Sequence, residues 1–435
     1  MMKSVIRGER IILKLWHFTD PHLHLREHPE ELDARPNVTA LMQSEAILDA
    51  SLAAFLDEPG CDILLISGDL TQHGYPLELR EMLRKLRMVQ AAGKRVVVIT
   101  ASHDLKTEGE AYADELREFF AEFGLSEAIA SFDDGQAFVV RLAPNIRILC
   151  IHDHDRMSLP PWLGWALEQL KAAKAAGDYI FGMTHLPSLP PTPIYLLLAK
   201  DGLIPGYPDT VYALADAGLP FMLTGHAHMH NIAYIYTPQG NPYWDINTSA
   251  LVGFPGKFRE LQFEDGRVRV TSRDIPHIPA FGTLSARNYL KETLETVWRN
   301  LFYGMEHDFD LFYESLDRMI PPDPLVKYKK YIRHVGKFFN KRLTLGKLGR
   351  LLLCRHKIPK SVRKLLLRDV IIELMGNIAS GEEPYGPDTD IGKAFMAYGR
   401  RLQGIGSKRG IADFAAWWLS LVYDPASDDE VEIPL

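Results

Sequence analysis

Five short clusters of aspartate and histidine recur in the first 230 residues, each just past an apolar run. They are Asp20-Pro21-His22, Gly68-Asp69, Ser102-His103-Asp104, Thr184-His185 and Gly225-His226-Ala227-His228. Carboxylate oxygens and imidazole nitrogens are the donors that suit two neighbouring divalent cations of the Mn, Fe or Zn kind. Alternate residues of an extended segment point the same way, so Asp20 and His22 can grip one ion together. Asp69 follows Ile63-Leu64-Leu65-Ile66, where its two oxygens could bridge two cations. His226 and His228 flank a small alanine, a spacing that lets two imidazoles diverge toward different cations. Each cluster taken singly also reads as a polar turn or a surface loop. Their order, each at the end of a strand-like run, sets them apart, because open α/β folds build their sites at the C-terminal edges of strands.

The elements that must position these residues alternate in type. Ile11 to Phe18, Asp62 to Ser67 and Lys94 to Thr100 read as apolar strands, the last through Val96-Val97-Val98-Ile99. Val38 to Leu56 and Pro76 to Ala92 carry helical spacing, the second opened by its proline. Phe138 to Leu142 and Ile146 to Ile151 form a strand pair around Pro144-Asn145, followed by a helix from Trp162 to Ala176 and strands at Tyr179 to Met183 and Phe221 to Thr224. Short strands then close the region: Ile232 to Tyr236, Phe258 to Phe263 and Val268 to Ser272. The predicted class is α/β, a layered β-sandwich flanked by helices. The proline-rich connector Ile275 to Gly282 ends it, which divides the chain into residues 1–278 and a C-terminal all-helical domain, 279–435. Asp424 to Leu435 is acidic and proline-tipped, and is expected to fray.

Composition bounds the answer without naming a partner. The chain has 435 residues, 46% hydrophobic and 24% charged, with a net charge of −7, ordinary for a globular protein of two or three domains. Cys61, Cys150 and Cys354 lie far apart without CxxC pairing, so neither a disulfide framework nor a thiolate zinc site is expected. MMKSVIRGERIILKLWHF lacks a long apolar core before a small-residue cleavage site, and no stretch reaches the roughly 18 apolar residues of a membrane span. A cytoplasmic location is expected, with no membrane span.

The ordered series D-x-H, G-D, H-D, H, G-H-x-H resembles the calcineurin-like metallophosphoesterase superfamily over about residues 11 to 275. Within it the chain is most similar to the class III cyclic-nucleotide phosphodiesterases, through Ser158-Leu159 to Leu170 with Trp162 and Trp165, and through Asn247 to Phe263 with Pro255 and Arg259. The resemblance implies two divalent metal ions: one held by Asp20, His22, Asp69 and His228, the other by Asp69, His185 and His226. It implies His103 as proton donor to the leaving oxygen, oriented by Asp104. The family's G-N-H-[DE] reads Ala101-Ser102-His103-Asp104 here, so Ser102 would offer the second metal a hydroxyl in place of a carbonyl oxygen. The implied substrate is a phosphate ester, a small molecule or nucleotide, with a cyclic nucleotide at its most specific. A protein or nucleotide phosphomonoesterase and a catalytically weakened nucleotide- or RNA-binding module stand as alternatives.

The remaining histidines have weaker readings. His152-Asp153-His154-Asp155 ends a strand, and could contact substrate or support the site, or be a solvated loop. His24, His28 and His73 follow the first two motifs and could line an entrance; His230 reads as a surface residue. Between Lys327 and Arg368 the helical part is strongly basic, including Lys329, Lys330, Arg333, Lys337, Lys341 and Arg342. Such a run can attract nucleotides, RNA or anionic lipid, or simply be the solvated face of helices.

Overall fold

The computed structural model describes residues 13–25, 38–105, 111–152, 161–193, 195–198, 202–264, 266–316, 329–404 and 413–435. In chain order the elements begin β1 (Leu13–Phe18), α1 (Ser44–Asp57), β2 (Ile63–Ser67), α2 (Pro76–Ala91), β3 (Arg95–Ile99), α3 (Ala111–Phe119), β4 (Ala130–Phe132), β5 (Ala137–Ala143) and β6 (Ile146–Ile151). They continue α4 (Leu163–Ala176), β7 (Tyr179–Met183), α5 (Tyr195–Leu198), α6 (Asp209–Asp216), β8 (Phe221–Thr224), β9 (Asn231–Tyr236), β10 (Pro242–Asn247), β11 (Lys257–Glu264) and β12 (Arg267–Asp274). Helices follow: α7 (Ala286–His307), α8 (Phe309–Leu316), α9 (Lys329–Lys341), α10 (Leu345–Leu351), α11 (Leu367–Ser380), α12 (Asp390–Arg401) and α13 (Phe414–Leu419), then β13 (Glu430–Pro434).

Two mixed sheets face one another. One has the order β13-β12-β11-β1-β2-β3, the other β4-β5-β6-β7-β8-β10-β9. Leu15, Leu65, Val97 and Leu261 of the first sheet meet Phe138, Ile148, Phe181 and Leu223 of the second in one buried core. A second core joins the outer face of the first sheet to α1, α2 and the start of α7, and a third joins the second sheet to α4 and α6. Strands β1, β2 and β3 run parallel, as do β6, β7 and β8, so each parallel set delivers its C-terminal ends to one edge. That common orientation brings loops far apart in sequence to one place.

The region after β12 is helical, yet it is tied to the sandwich at both ends. Ala286, Leu290 and Leu294 of α7 belong to the core beneath the first sheet. The acidic tail does not fray: Val431 and Ile433 alternate inward, and β13 pairs antiparallel with β12. Before it, Asp428 accepts the Ile232 N–H at 2.6 Å and the Asn231 Nδ2–H at 3.2 Å, and its own carbonyl accepts from the buried Arg259 guanidinium. The part of the basic run on α9, Lys329, Arg333, Lys337 and Lys341, is exposed, with Lys341 paired to Glu306. None of the described helices is long and apolar enough to cross a membrane, and all three cysteines are buried and free.

Burial and then the charge of Asp428 push Glu383 up to about 8. Burial likewise pushes Asp428 up to about 7, against the Ile232 N–H and Arg259. Both folded values lie above the unfolded ones, so their contribution to stability is complete below about pH 4 and is lost as pH rises through 7 and 8. Thermal unfolding of the full chain should show a melting temperature that falls from about pH 5 to about pH 8 and then levels, and Glu383→Gln should flatten that fall. An equally steep fall in the variant would remove Glu383 as its source.

Candidate metal centre

Ligand-bearing loops extend the parallel strands beyond their formal ends. Past β1 and β2 the backbone stays zipped: Asp20 N–H donates to the Gly68 carbonyl, His22 N–H to Asp69, and Leu23 N–H to Leu70. Past β7 and β8, Thr184 N–H donates to Leu223 and Gly225 N–H to His185. Within these loops the chain turns sharply. Eight described non-glycine residues have left-handed φ, and five of them are Asp20 (50°), His22 (42°), Asp69 (48°), His226 (63°) and His228 (53°). Backbone strain of this kind costs about 1–3 kcal/mol each and persists where the surroundings over-determine it. Here it aims side chains inward from both sheets.

The two carboxylates follow one plan. Asp20 Oδ2 accepts the Thr19 hydroxyl at 2.6 Å and the His226 N–H at 3.1 Å. Its Oδ1 is left facing His228 Nε2 at 3.1 Å, His22 Nε2 at 3.6 Å and His185 Nε2 at 3.8 Å. Asp69 Oδ1 accepts the His103 N–H at 2.9 Å, while Oδ2 faces His185 Nε2 at 3.0 Å and His22 Nε2 at 3.9 Å. Thus a single Asp69 oxygen looks toward both histidine sets, where two bridging oxygens were expected. Nitrogen and oxygen donors sharing a cation at about 2.1 Å stand roughly 3.0–3.5 Å apart. Asp20, His22 and His228 meet that spacing closely, with His22 Nε2 and His228 Nε2 3.1 Å apart. Asp69, His185 and His226 form a second convergent group.

Electrostatics agree with a demand for cations. Burial alone would raise Asp20 and Asp69, but the surrounding imidazoles hold both well below the usual carboxylate range. Burial would lower His185, yet Asp69 and Asp20 drive it up to about 10: an imidazolium there supplies the positive charge the carboxylates require. His22 falls to about 4 and His226 to about 3, chiefly through burial, which keeps both in the neutral form that ligates. His185 Nδ1–H donates to the Ser67 carbonyl at 2.8 Å, which turns Nε2 inward toward Asp69 Oδ2. His22 Nδ1 is enclosed and unpartnered. The donor set therefore fits two divalent cations.

His103 lies edge-on to His22, ring centroids 4.8 Å apart, and its Nδ1–H donates to the Gln72 carbonyl at 2.9 Å. Asp104 does not take that nitrogen. Its buried carboxylate accepts from Thr71 N–H, the Thr71 hydroxyl and Ala101 N–H, and so clasps the loop after β2 to the loop after β3. The expectation that Asp104 orients His103 therefore gives way to Gln72, whose main-chain carbonyl no side-chain pattern reports. Ser102 opens the same turn as an exposed residue.

Supporting residues were less visible. Asp245 on β10 is buried and takes Ser188 N–H, Leu189 N–H and the Ser188 and Thr224 hydroxyls, fastening the loop that carries His185 to β8. Asn247 Nδ2–H donates to the Gly225 carbonyl at 2.7 Å. His152 accepts the Thr100 N–H at 2.9 Å and steadies the end of β3. His230 is fully buried against Ser272 instead of lying on the surface. His28 and Asp153-His154-Asp155 lie outside the described residues.

Two facing sheets with this cluster at their shared edge define a metal-dependent phosphoric ester hydrolase. The model of the calcineurin-like phosphoesterases matches residues 13–230, and the chain belongs to that family. No curated protein matches the sequence significantly. Among solved structures, a dimetal phosphatase from Danio rerio is 14% identical over 61% of this chain and 96% of its own, with a TM-score of 0.45. A purple acid phosphatase from yellow lupin (Lupinus luteus) seeds is 11% identical over 60% of this chain and 51% of its own, also at 0.45. A phosphopantetheinyl hydrolase from Mycobacterium tuberculosis is 15% identical over 55% of this chain and 89% of its own, at 0.31.

Gly225 packs directly on Thr19 and Asp20, and a Cβ there would collide with the Thr19 hydroxyl and Asp20 Oδ2. Gly225→Ala should push Asp20 from its place and weaken metal retention by about 10–100-fold, read by metal analysis of a variant whose circular dichroism is unchanged. Full metal content in that variant would show that Asp20 is not needed where it stands.

Proposed function

We propose that the protein hydrolyses a phosphodiester, with a cyclic nucleotide as the most specific candidate, using metals held by Asp20, His22, Asp69 and His228 and by Asp69, His185 and His226. The observation that carries this reading is the pair of buried carboxylates, each with one committed and one free oxygen, ringed by four imidazoles. Two bound divalent cations would polarise phosphoryl oxygens and lower the pKa of a water between them.

The chain's own groups supply the rest. His103 holds its Nδ1 proton on Gln72, so Nε2 is the nitrogen free to carry a proton to the leaving oxygen. Asp69 fixes the His103 main chain through its N–H and so ties the acid to the ligands. Ser102 stands where the family pattern has asparagine, and its hydroxyl would serve the second metal less strongly. Residues 1–278 as the catalytic domain, completed by β13 from the C-terminal tail, the helices between as an appendage and a cytoplasmic location belong to the same proposal, the last supported by the buried free thiols.

Purified protein with Mn²⁺ should cleave bis-p-nitrophenyl phosphate and cyclic nucleotides faster than p-nitrophenyl phosphate. Asp69→Asn should abolish turnover, and His103→Ala should lower kcat by roughly 10²–10⁴-fold while metal content holds. Faster cleavage of monoesters would move the assignment to a phosphomonoesterase. Unchanged kcat in His103→Ala would end its role as acid.

A further inference from the structure

A second donor cluster lies beside the paired centre and takes no part in it. His24 follows the first motif by two residues, His73 lies in the loop after β2, and Glu78 sits in the first turn of α2. His24 Nδ1 is 3.2 Å and His73 Nδ1 3.7 Å from the same atom, Glu78 Oε1, and one ligand atom of each residue lies within 4.8 Å of the others. Donors that share a cation at about 2.1 Å stand roughly 3.0–3.5 Å apart; the His24 edge falls within that spacing and the His73 edge just beyond it. Glu78 repeats the plan of Asp20 and Asp69: Oε2 accepts the His73 main-chain N–H at 3.1 Å, and Oε1 is left to the imidazoles.

A hydrogen-bond network alone leaves this cluster unfinished. The His73 Nδ1 distance of 3.7 Å is too long for a hydrogen bond, and that nitrogen is enclosed without any other partner. The His24 and Glu78 side chains are completely buried, and the His73 ring is a quarter exposed, which leaves an approach from solvent. Among the described residues Glu78 has no lysine or arginine partner, although burying a carboxylate demands a compensating cation. Burial would raise Glu78, but the His24 ring and the neighbouring His73 hold it ionised, near 2.

We propose that His24, His73 and Glu78 form a third cation site, for a divalent first-row transition metal, separate from the paired centre. Two imidazoles and one carboxylate on one side of the ion suit Zn, Mn, Fe or Co and leave coordination positions open. The site has a structural consequence for the active centre. His73 adjoins Gln72, whose carbonyl orients His103, so a cation gripping His73 to α2 pins the loop that presents this carbonyl. His24, His73 and Glu78 are positioning residues on this reading.

The test counts metal, and does not depend on the paired centre being correctly assigned. Full-length protein is stripped with chelator, reloaded with Zn²⁺, freed of excess by gel filtration and analysed for metal per chain. His73→Ala, near the surface, should bind one equivalent fewer than its parent, both in the wild type and in Asp69→Asn, whatever the parent's total. His24→Gln should do the same, and Co²⁺ loaded into Asp69→Asn should give a visible absorption band that His73→Ala removes. Equal metal content in parent and both variants, with the Co²⁺ band unchanged, would overturn the proposal.

Discussion

Two aspartates held ionised in the protein interior are the constraint around which this molecule is arranged. Asp20 and Asp69 are both buried, and each spends one oxygen on main-chain or hydroxyl donors of the surrounding loops. The other oxygen cannot be left without a positive neighbour at tolerable cost. His185, forced toward its charged form, and the converging nitrogens of His22 and His228 mark where positive charge must reside. A pair of divalent ions meets that requirement more fully than protons do, so affinity for metal follows from the same burial that makes the bare cluster costly.

The rest of the architecture keeps that cluster from relaxing. Left-handed backbone at five candidate ligand residues would unwind in a free loop. It persists because β1 and β2 remain zipped beyond their ends and because Asp245, Asn247 and Asp104 tie neighbouring loops together. The helical region takes part at a distance. Ala379 of α11 accepts the His230 N–H two residues beyond His228, and Asp428 in the tail holds Ile232, so two separate parts of the C-terminal region grip the strand that follows His228.

Much of this was readable before any coordinates. Continuous apolar runs ending in Gly-Asp, Thr-His or Gly-His announce buried parallel strands with ligands at their tips, and β1, β2, β3, β7 and β8 occur where those runs stand. The residues that escaped notice did so for identifiable reasons. Asp245 and Asn247 lie on β10, a strand whose buried positions include polar side chains, so the alternation that betrays a strand is blurred. Val431 and Ile433 keep period-two spacing, but the acids around them resemble a solvated tail. Gln72 acts through its carbonyl, which every residue possesses. Asp104 was recognisable as important, and its neighbour in sequence was mistaken for its partner in space.

The position of β1 within its sheet carries a cost during synthesis. Leu15 lies between Ile63 on one side and Leu261 on the other, so one neighbour is translated soon after β1 and the other some two hundred residues later. A growing chain can assemble β1, β2 and β3 early, but one flank of β1 then presents bare amides and carbonyls until β11 emerges. That interval is a template for pairing with the wrong strand, and the native sheet order itself sets how long it lasts.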